Sequence, residues 1–145
     1  MISRPLIILR GNSGCGKTST ARLLQRQLGY GTMLVSQDVV RREILRVKDS
    51  KNNPAIQLIY DLCMYGNKVG YTVILEGILS SKKYGAMLHR LLNDFQGDSW
   101  CIILIYRLKK RCAAMLLSQM LMNLVNWKCA DGGKKRIIWI LKMNF

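Results

Sequence analysis

One stretch restricts the fold more than anything else in the chain: Gly11-Asn-Ser-Gly-Cys-Gly-Lys-Thr18, which has the pattern G-x-x-x-x-G-K-[ST]. It separates two segments of different periodicity. Residues 5–10, Pro5-Leu-Ile-Ile-Leu-Arg10, are a short apolar run, as expected of a strand buried on both faces. Over residues 18–28 Ala21, Leu23, Leu24 and Leu28 recur at helical spacing, with Gly29 as a stop. Strand, glycine-rich turn and helix in this order aim backbone N–H groups at an anion on the helix N-terminus. Glycines permit the backbone conformations and close approach that such a cradle needs. A turn that merely joined strand to helix would require neither Lys17 nor Thr18. Lys17 supplies a point charge for the β- and γ-phosphates of a triphosphate, and the Thr18 hydroxyl is placed for Mg²⁺. The expected nucleotide site comprises Gly11, Asn12, Ser13, Gly14, Cys15, Gly16, Lys17, Thr18 and Ser19, with Cys15 a spacer whose side chain points away.

The rest of the first hundred residues alternates in the same manner. Residues 32–36 predict a second strand, and Asp38 is placed to cap a basic helix running to about Val47. A polar loop over residues 48–53 is closed by Pro54, and residues 55–68 predict a helix that turns Ile56, Ile59, Tyr60 and Cys63 one way and ends at Gly70. Residues 71–76 predict a third strand, residues 82–95 a helix and residues 100–106 a fourth strand. Strands separated by helices imply βαβ units, and so a parallel sheet with helices on both faces. With 145 residues, 50% of them hydrophobic, the chain has the length of one domain and the apolar material for one core.

A bound nucleotide does not define a reaction, so a substrate acid is sought at the strand ends. Asp38 lies just past the second strand in Val35-Ser-Gln-Asp-Val-Val-Arg-Arg42. It would position a hydroxyl while Arg41 holds an anionic group; the alternative is a helix cap followed by exposed arginines. Glu76 ends the third strand in Val73-Ile-Leu-Glu-Gly77, where an acid would serve the Mg²⁺ shell or its waters; the alternative is a turn carboxylate. His89 reads as a solvated surface residue, and Met115, Met120 and Met122 as packing.

The charge is unevenly spread. Lys and Arg number 23 against 8 Asp and Glu, a net charge of +15, and residues 101–145 hold 9 basic residues against a single acid, Asp131. Such a balance suits a phosphate-rich partner or an anionic surface. The excess in residues 1–100 fits a polynucleotide, any phosphorylated ligand or dispersed surface lysines, and no RNA-binding aromatic pattern accompanies it. The 5 cysteines form no CxxC pair and there is 1 histidine, which leaves little for a Cys/His zinc site and disfavours a disulfide scaffold. Buried thiols in a reducing compartment are expected. The apolar run at residues 6–9 is too short for a signal-peptide core or a membrane span, which predicts a cytoplasmic protein without a transmembrane segment.

Three strings together, Leu6-Ile-Ile-Leu-Arg-Gly-Asn-Ser-Gly-Cys-Gly-Lys-Thr18, Ser36-Gln-Asp-Val-Val-Arg-Arg42 and Ile74-Leu-Glu-Gly77, resemble the small bacterial P-loop kinases. Within them the chain is similar to the group containing zeta toxins, chloramphenicol phosphotransferase and polynucleotide 5′-kinase, and to bacterial proteins loosely labelled kinase or uridine kinase. The resemblance covers residues 1–100. It implies a P-loop NTPase-type α/β fold, a parallel sheet sandwiched between helices, and transfer of the γ-phosphate of ATP to a hydroxyl, with ATP and Mg²⁺ as cofactors. In that group the aspartate matching Asp38 is general base on the acceptor hydroxyl, the arginine matching Arg41 contacts substrate, and a later helical lid supplies arginines to the transferring phosphoryl. The candidate catalytic residues are thus Lys17, Asp38 and Arg41, those for the acceptor are Asp38, Arg41 and Arg42, and those for the metal are Thr18 and Glu76. The acceptor is open among nucleoside, polynucleotide end, antibiotic and sugar nucleotide.

After Trp100 the chain departs from that group, which continues with a strand, an acid and an Arg-rich helix containing glutamates. Here Cys101-Ile-Ile-Leu-Ile-Tyr-Arg-Leu-Lys-Lys-Arg-Cys112 follows, with no glutamate through Phe145. Back-translation from the last base of the Trp100 codon permits V-Y-Y-F-D-L-S-F-E-E-T-L-R-R-H-A-T-K-P-N-A-H-E-F-G-E, and further on W-W-K-E-K-D-Y-L, without a stop. Strand, acid, helix and basic lid appear there in the group's order, so a reading-frame shift is the expected origin of the ending. The expected division is a kinase core, residues 1–106, and a basic, apolar tail, residues 107–145, with a helix over 108–127, a turn at 131–133 and an apolar run at 137–141. Such a tail would expose an apolar patch. Two rival readings follow from it: a catalytically defective nucleotide-binding protein, and a basic protein that binds membrane or nucleic-acid surfaces.

Overall fold

The structure is a computed structural model that describes residues 4–104 and the backbone of residues 136–141. Along the chain come β1 (Leu6–Gly11), α1 (Lys17–Leu28), β2 (Thr32–Ser36), a π-helical turn (Val39–Ile44), α2 (Ala55–Lys68), β3 (Thr72–Gly77), α3 (Ser81–Asp94), β4 (Ser99–Leu104) and β5 (Arg136–Leu141). The strands form one parallel sheet in the order β2-β3-β1-β4-β5. Arg10 is level with Gly77 of β3 on one side and with Ile103 of β4 on the other. From β1 the chain passes over to β2, returns to β3, and then crosses to β4 on the opposite side of β1. The change of direction falls at β1, and in sheets of this kind ligands bind outside the carboxyl ends of the strands at that point.

Burial on both faces explains why residues 6–9 of β1 are all apolar. Leu6 and Ile8 face α2 and α3, packing with Val73 and Leu75 against Ile59, Cys63, Tyr84 and Leu91. Ile7 and Leu9 face α1, packing with Ile74, Trp100 and Ile102 against Ala21 and Leu24. All four β1 residues are at most 1% exposed, and each such side chain contributes about 1.5–3 kcal/mol on burial. The parallel sheet between helices expected from the sequence is the observed architecture.

Element ends agree closely with the periodicity, and the differences have local causes. The expected capped helix after Asp38 is replaced by the π-helical turn: Asp38 itself is helical, at φ −68° and ψ −40°, and its side chain makes no capping bond. Its carboxylate is instead taken by Arg41 at 3.3 Å and Arg42 at 3.5 Å, one turn ahead. The Leu45 N–H closes onto the Val40 carbonyl, five residues back, and Arg46 then turns the chain with φ 51°. Residues 137–141, read from sequence only as an apolar run, belong to β5, as suits their Ile and Trp content. Residues 105–106 of the expected fourth strand, the expected helix over 108–127, the turn at 131–133, Met115, Met120 and Met122 lie outside the described residues.

Cys15, Cys63 and Cys101 are free thiols, the first two buried. Burial pushes the Cys63 thiol up to about 12, and raises that of Cys101 against the opposing influence of Arg10, so neither is an activated nucleophile. Cys112 and Cys129 lie outside the described residues. No helix among the described residues is long and apolar enough to cross a membrane. His89 is exposed on α3.

The loop after the π-helical turn is tied down by α3. Lys83 Nζ donates to Asp49 Oδ2 at 2.9 Å and to the Asp49 carbonyl at 2.5 Å, and the Tyr84 hydroxyl donates to Asp49 Oδ1 at 3.2 Å. Burial by itself would raise the Asp49 carboxyl. The bond and charge of Lys83, the Tyr84 hydroxyl and the charge of Arg41 outweigh it and hold the group below its ordinary value. A lowered folded-state value contributes stability above the unfolded pKa that is lost as pH falls through the folded one. Lys83→Met is therefore expected to flatten the acid side of the melting profile between about pH 5 and about pH 2. The effect should stay within about 1 kcal/mol because the pair is partly solvated. Thermal melts of both proteins across that range test it; identical acid slopes would show that Lys83 does not anchor the loop.

Candidate functional site

The loop joining β1 to α1 stands at the carboxyl end of the central strand. At Gly11 a Cβ would lie 2.4 Å from the Leu104 carbonyl oxygen and 2.7 Å from Cys15 Sγ, so the chain can leave β1 beside β4 only at a glycine. Gly16, at φ 88°, turns it into α1 in a left-handed conformation that a side chain disfavours. No side chain caps α1, which leaves the N–H groups of its first turn for a ligand or water. Asn12, Ser13, Gly14, Thr18 and Ser19 are exposed around this mouth, while the Cys15 thiol is buried in the α1-side core.

Lys17 is 8% exposed and folds back over the loop, donating to the Asn12 carbonyl at 2.6 Å and reaching Cys15 Sγ at 3.6 Å. Among the described residues it has no carboxylate partner. A buried ammonium without an anion is costly, and an anionic ligand in the loop relieves that cost.

Thr18 and Glu76 meet across 58 positions of sequence. Glu76 is the penultimate residue of β3 and 3% exposed, and the Thr18 hydroxyl donates to its Oε1 at 3.1 Å. Ser36, the last residue of β2, lies level with Glu76 and donates to the same oxygen at 2.5 Å. With its proton given to Glu76, the Thr18 oxygen keeps its lone pairs for an outside partner. No group of three or more His, Cys, Asp or Glu side chains gathers among the described residues. A hydroxyl, a carboxylate and water or phosphate oxygens form the donor set that suits Mg²⁺, and Thr18 and Glu76 fit it.

Asp38, Arg41 and Arg42 form a second group two residues past the end of β2. The Asp38 side chain is 64% exposed, and Arg41, at 14%, also donates to the Val47 carbonyl at 3.4 Å. Arg41 Nε is buried without a partner among the described residues. No hydrogen bond or ion pair joins this group to Lys17, Thr18 and Glu76 among the described residues.

Three residues that the sequence reading did not single out shape the same end of the sheet. Gln37 is buried and accepts the Leu79 N–H at 2.9 Å, while Arg10 donates to the Leu79 carbonyl at 2.8 Å. Leu79 is thereby held at φ 47°, uncommon for a branched side chain. Ser36 is the third. The available signal was polarity where an apolar strand ends: Ser36 and Gln37 directly precede Asp38, and Arg10 directly precedes the loop.

The sequence matches no protein-family profile and no curated protein. Solved structures resemble the fold. APS kinase CysC of Mycobacterium tuberculosis, in complex with AMPPNP and APS, matches with a TM-score of 0.59 at 15% identity, over 94% of this chain and 88% of that one. The PezAT toxin–antitoxin system of Streptococcus pneumoniae matches at 0.51 and 20% identity, over 87% of this chain and 57% of that one. A gluconokinase from Sinorhizobium meliloti matches at 0.50 and 12% identity, over 98% and 85%. At such identities the likeness carries the fold and nothing finer: this chain has the P-loop NTPase-type α/β fold found in kinases.

Proposed function

We propose that residues 11–19 bind Mg·ATP and that residues 1–106 are the core of a kinase transferring the γ-phosphate of ATP to a hydroxyl held at Asp38. The observation that carries this reading is the cluster of Lys17, Thr18 and Glu76 at the loop: an ammonium with no carboxylate partner among the described residues, beside an exposed hydroxyl that gives its proton to Glu76. That the similarly folded APS kinase binds AMPPNP supports an adenine nucleotide as the ligand. Backbone N–H groups of the loop would hold the phosphates, Lys17 would offset their charge, and Thr18 with Glu76 would hold Mg²⁺. When bound, the cation neutralises charge on the phosphate oxygens.

Asp38 would accept the proton of the acceptor hydroxyl as its oxygen bonds to the γ-phosphorus and the bond to the β,γ-bridging oxygen breaks, releasing ADP. Arg41 and Arg42, which hold the Asp38 carboxylate, would keep it in place and offer charge to an anionic part of the acceptor. In sequence, residues 107–145 follow the core as the lid does in the group that the chain resembles. They hold Arg107, Lys109, Lys110 and Arg111 without ordering acids nearby, and we read the ending as the product of a frame shift that impairs transfer. The same ending supports the second reading, a protein that binds nucleotide without turning it over.

Asp38→Asn separates base from structural residue. Asp38 makes no capping bond and is largely exposed, so fold and nucleotide affinity should persist. Transfer should fall roughly 10²-fold or more. The measurement is labelled phosphate passing from ATP to a panel of nucleoside, 5′-hydroxyl oligonucleotide, antibiotic and sugar nucleotide, made with the chain that carries the shifted-frame ending. Turnover equal to that of the aspartate form would remove Asp38 from the chemistry.

A further inference from the structure

We propose that Ser36 is the positioning residue of the metal site: it holds Glu76 so that the Thr18 hydroxyl and the free carboxylate oxygen both face the cation, and it thereby sets the metal-dependent part of nucleotide affinity. This rests on the Mg·ATP reading above. Ser36 is buried at the end of β2, level with Glu76 across the β2–β3 ladder, so its hydroxyl meets the carboxylate without any loop intervening. Its bond and that of Thr18 both end on Oε1. No bond ends on Oε2 among the described residues, and Oε2 is not sealed from solvent as a buried orphan.

The two donors differ in what else they can do. Thr18 is exposed at the mouth and is the candidate cation ligand, whereas Ser36 is buried and gives its hydroxyl to the carboxylate. Without Ser36, the buried carboxylate keeps a single donor, the same hydroxyl that the cation needs, and is free to rotate both oxygens onto it. With Ser36, Oε1 has a second donor, and Oε2 is left without a bond among the described residues. A buried carboxylate requires such a partner in any case, and outer-shell partners of metal-site acids commonly account for about 10- to 100-fold in metal affinity. Because Thr18 and Glu76 offer two side-chain oxygens among the described residues, the fitting ion is a small, hard divalent one that retains water, Mg²⁺ or Mn²⁺.

The test measures AMPPNP dissociation constants for the full chain by calorimetry, in excess Mg²⁺ and in EDTA, and takes the ratio as the gain from metal. Ser36→Ala should lower that gain about 10-fold while leaving the EDTA value unchanged. Ser36→Thr, which keeps the hydroxyl, should restore it. Mn²⁺ titration followed by electron paramagnetic resonance, with AMPPNP bound, should weaken in parallel. Equal gains in Ser36→Ala and the parent overturn the proposal, as does an equal loss in Mg²⁺ and EDTA, which marks a purely structural serine. A parent that binds AMPPNP with no gain from metal overturns it while leaving the nucleotide site standing. A parent that binds no AMPPNP in either condition removes the nucleotide reading, and this inference with it.

Discussion

Lys17→Ala is expected to weaken Mg·ATP binding roughly 10- to 100-fold, the worth of about 1.5–3 kcal/mol for a charge-assisted bond, and to abolish phosphoryl transfer. The larger loss falls on transfer because charge on the terminal phosphates is what the site must stabilise as the γ-phosphoryl moves. The stability effect should have the opposite sign to that of a structural lysine. The ammonium is buried against a carbonyl and a thiol, with no carboxylate among the described residues, so its removal relieves a desolvated charge. The melting temperature of the ligand-free variant should therefore hold or rise. Calorimetry with AMPPNP, a labelled-ATP assay and a thermal melt on one preparation check all three. Unchanged affinity and turnover in a folded variant would show that residues 11–19 are not the nucleotide site.

The second large effect concerns the ending. A chain that continues from Trp100 as V-Y-Y-F-D-L-S-F-E-E-T-L-R-R-H should transfer phosphate about 10³- to 10⁵-fold faster than the chain as it stands, the range attributed to an arginine that closes over a γ-phosphoryl. Both should bind nucleotide, because the loop, Lys17, Thr18, Ser36 and Glu76 all precede the change. Arg107, Lys109, Lys110 and Arg111 carry charge of the right sign, but their spacing differs from that of the shifted-frame ending and Asp131 is the lone acid in the sequence after Trp100. Sequencing the gene across the Trp100 codon and assaying the two chains side by side decide the matter. If the present chain is the faster enzyme, its tail is a working lid and the frame account is wrong.

What was legible in the sequence was whatever depends on neighbours along the chain. The apolar run before Gly11, the helical spacing after Lys17 and the stops at Gly29 and Gly70 are short-range signals, and α1 and α2 end at or just before those stops. Glu76 was legible for the same reason, as an acid closing an apolar strand. Strand order was legible only as a class, parallel with helices on both faces. That β1 lies between β3 and β4, and that residues 136–141 pair with β4, depends on which hydrophobic faces find one another across long separations.

The site depended still more on distant contacts. Ser36 reaches Glu76 over 40 positions and Gln37 reaches Leu79 over 42, distances at which sequence carries no periodic signal. Asp38 shows the same limit at short range: a residue of good capping type became an ion-pair acceptor because two arginines lie one turn ahead of it. The sequence alone thus determined the loop, the order of elements and their faces, through local sterics and hydrophobic period. Only the tertiary structure decided which polar groups share an oxygen, since that requires two strand ends to be brought level by the sheet's hydrogen bonds.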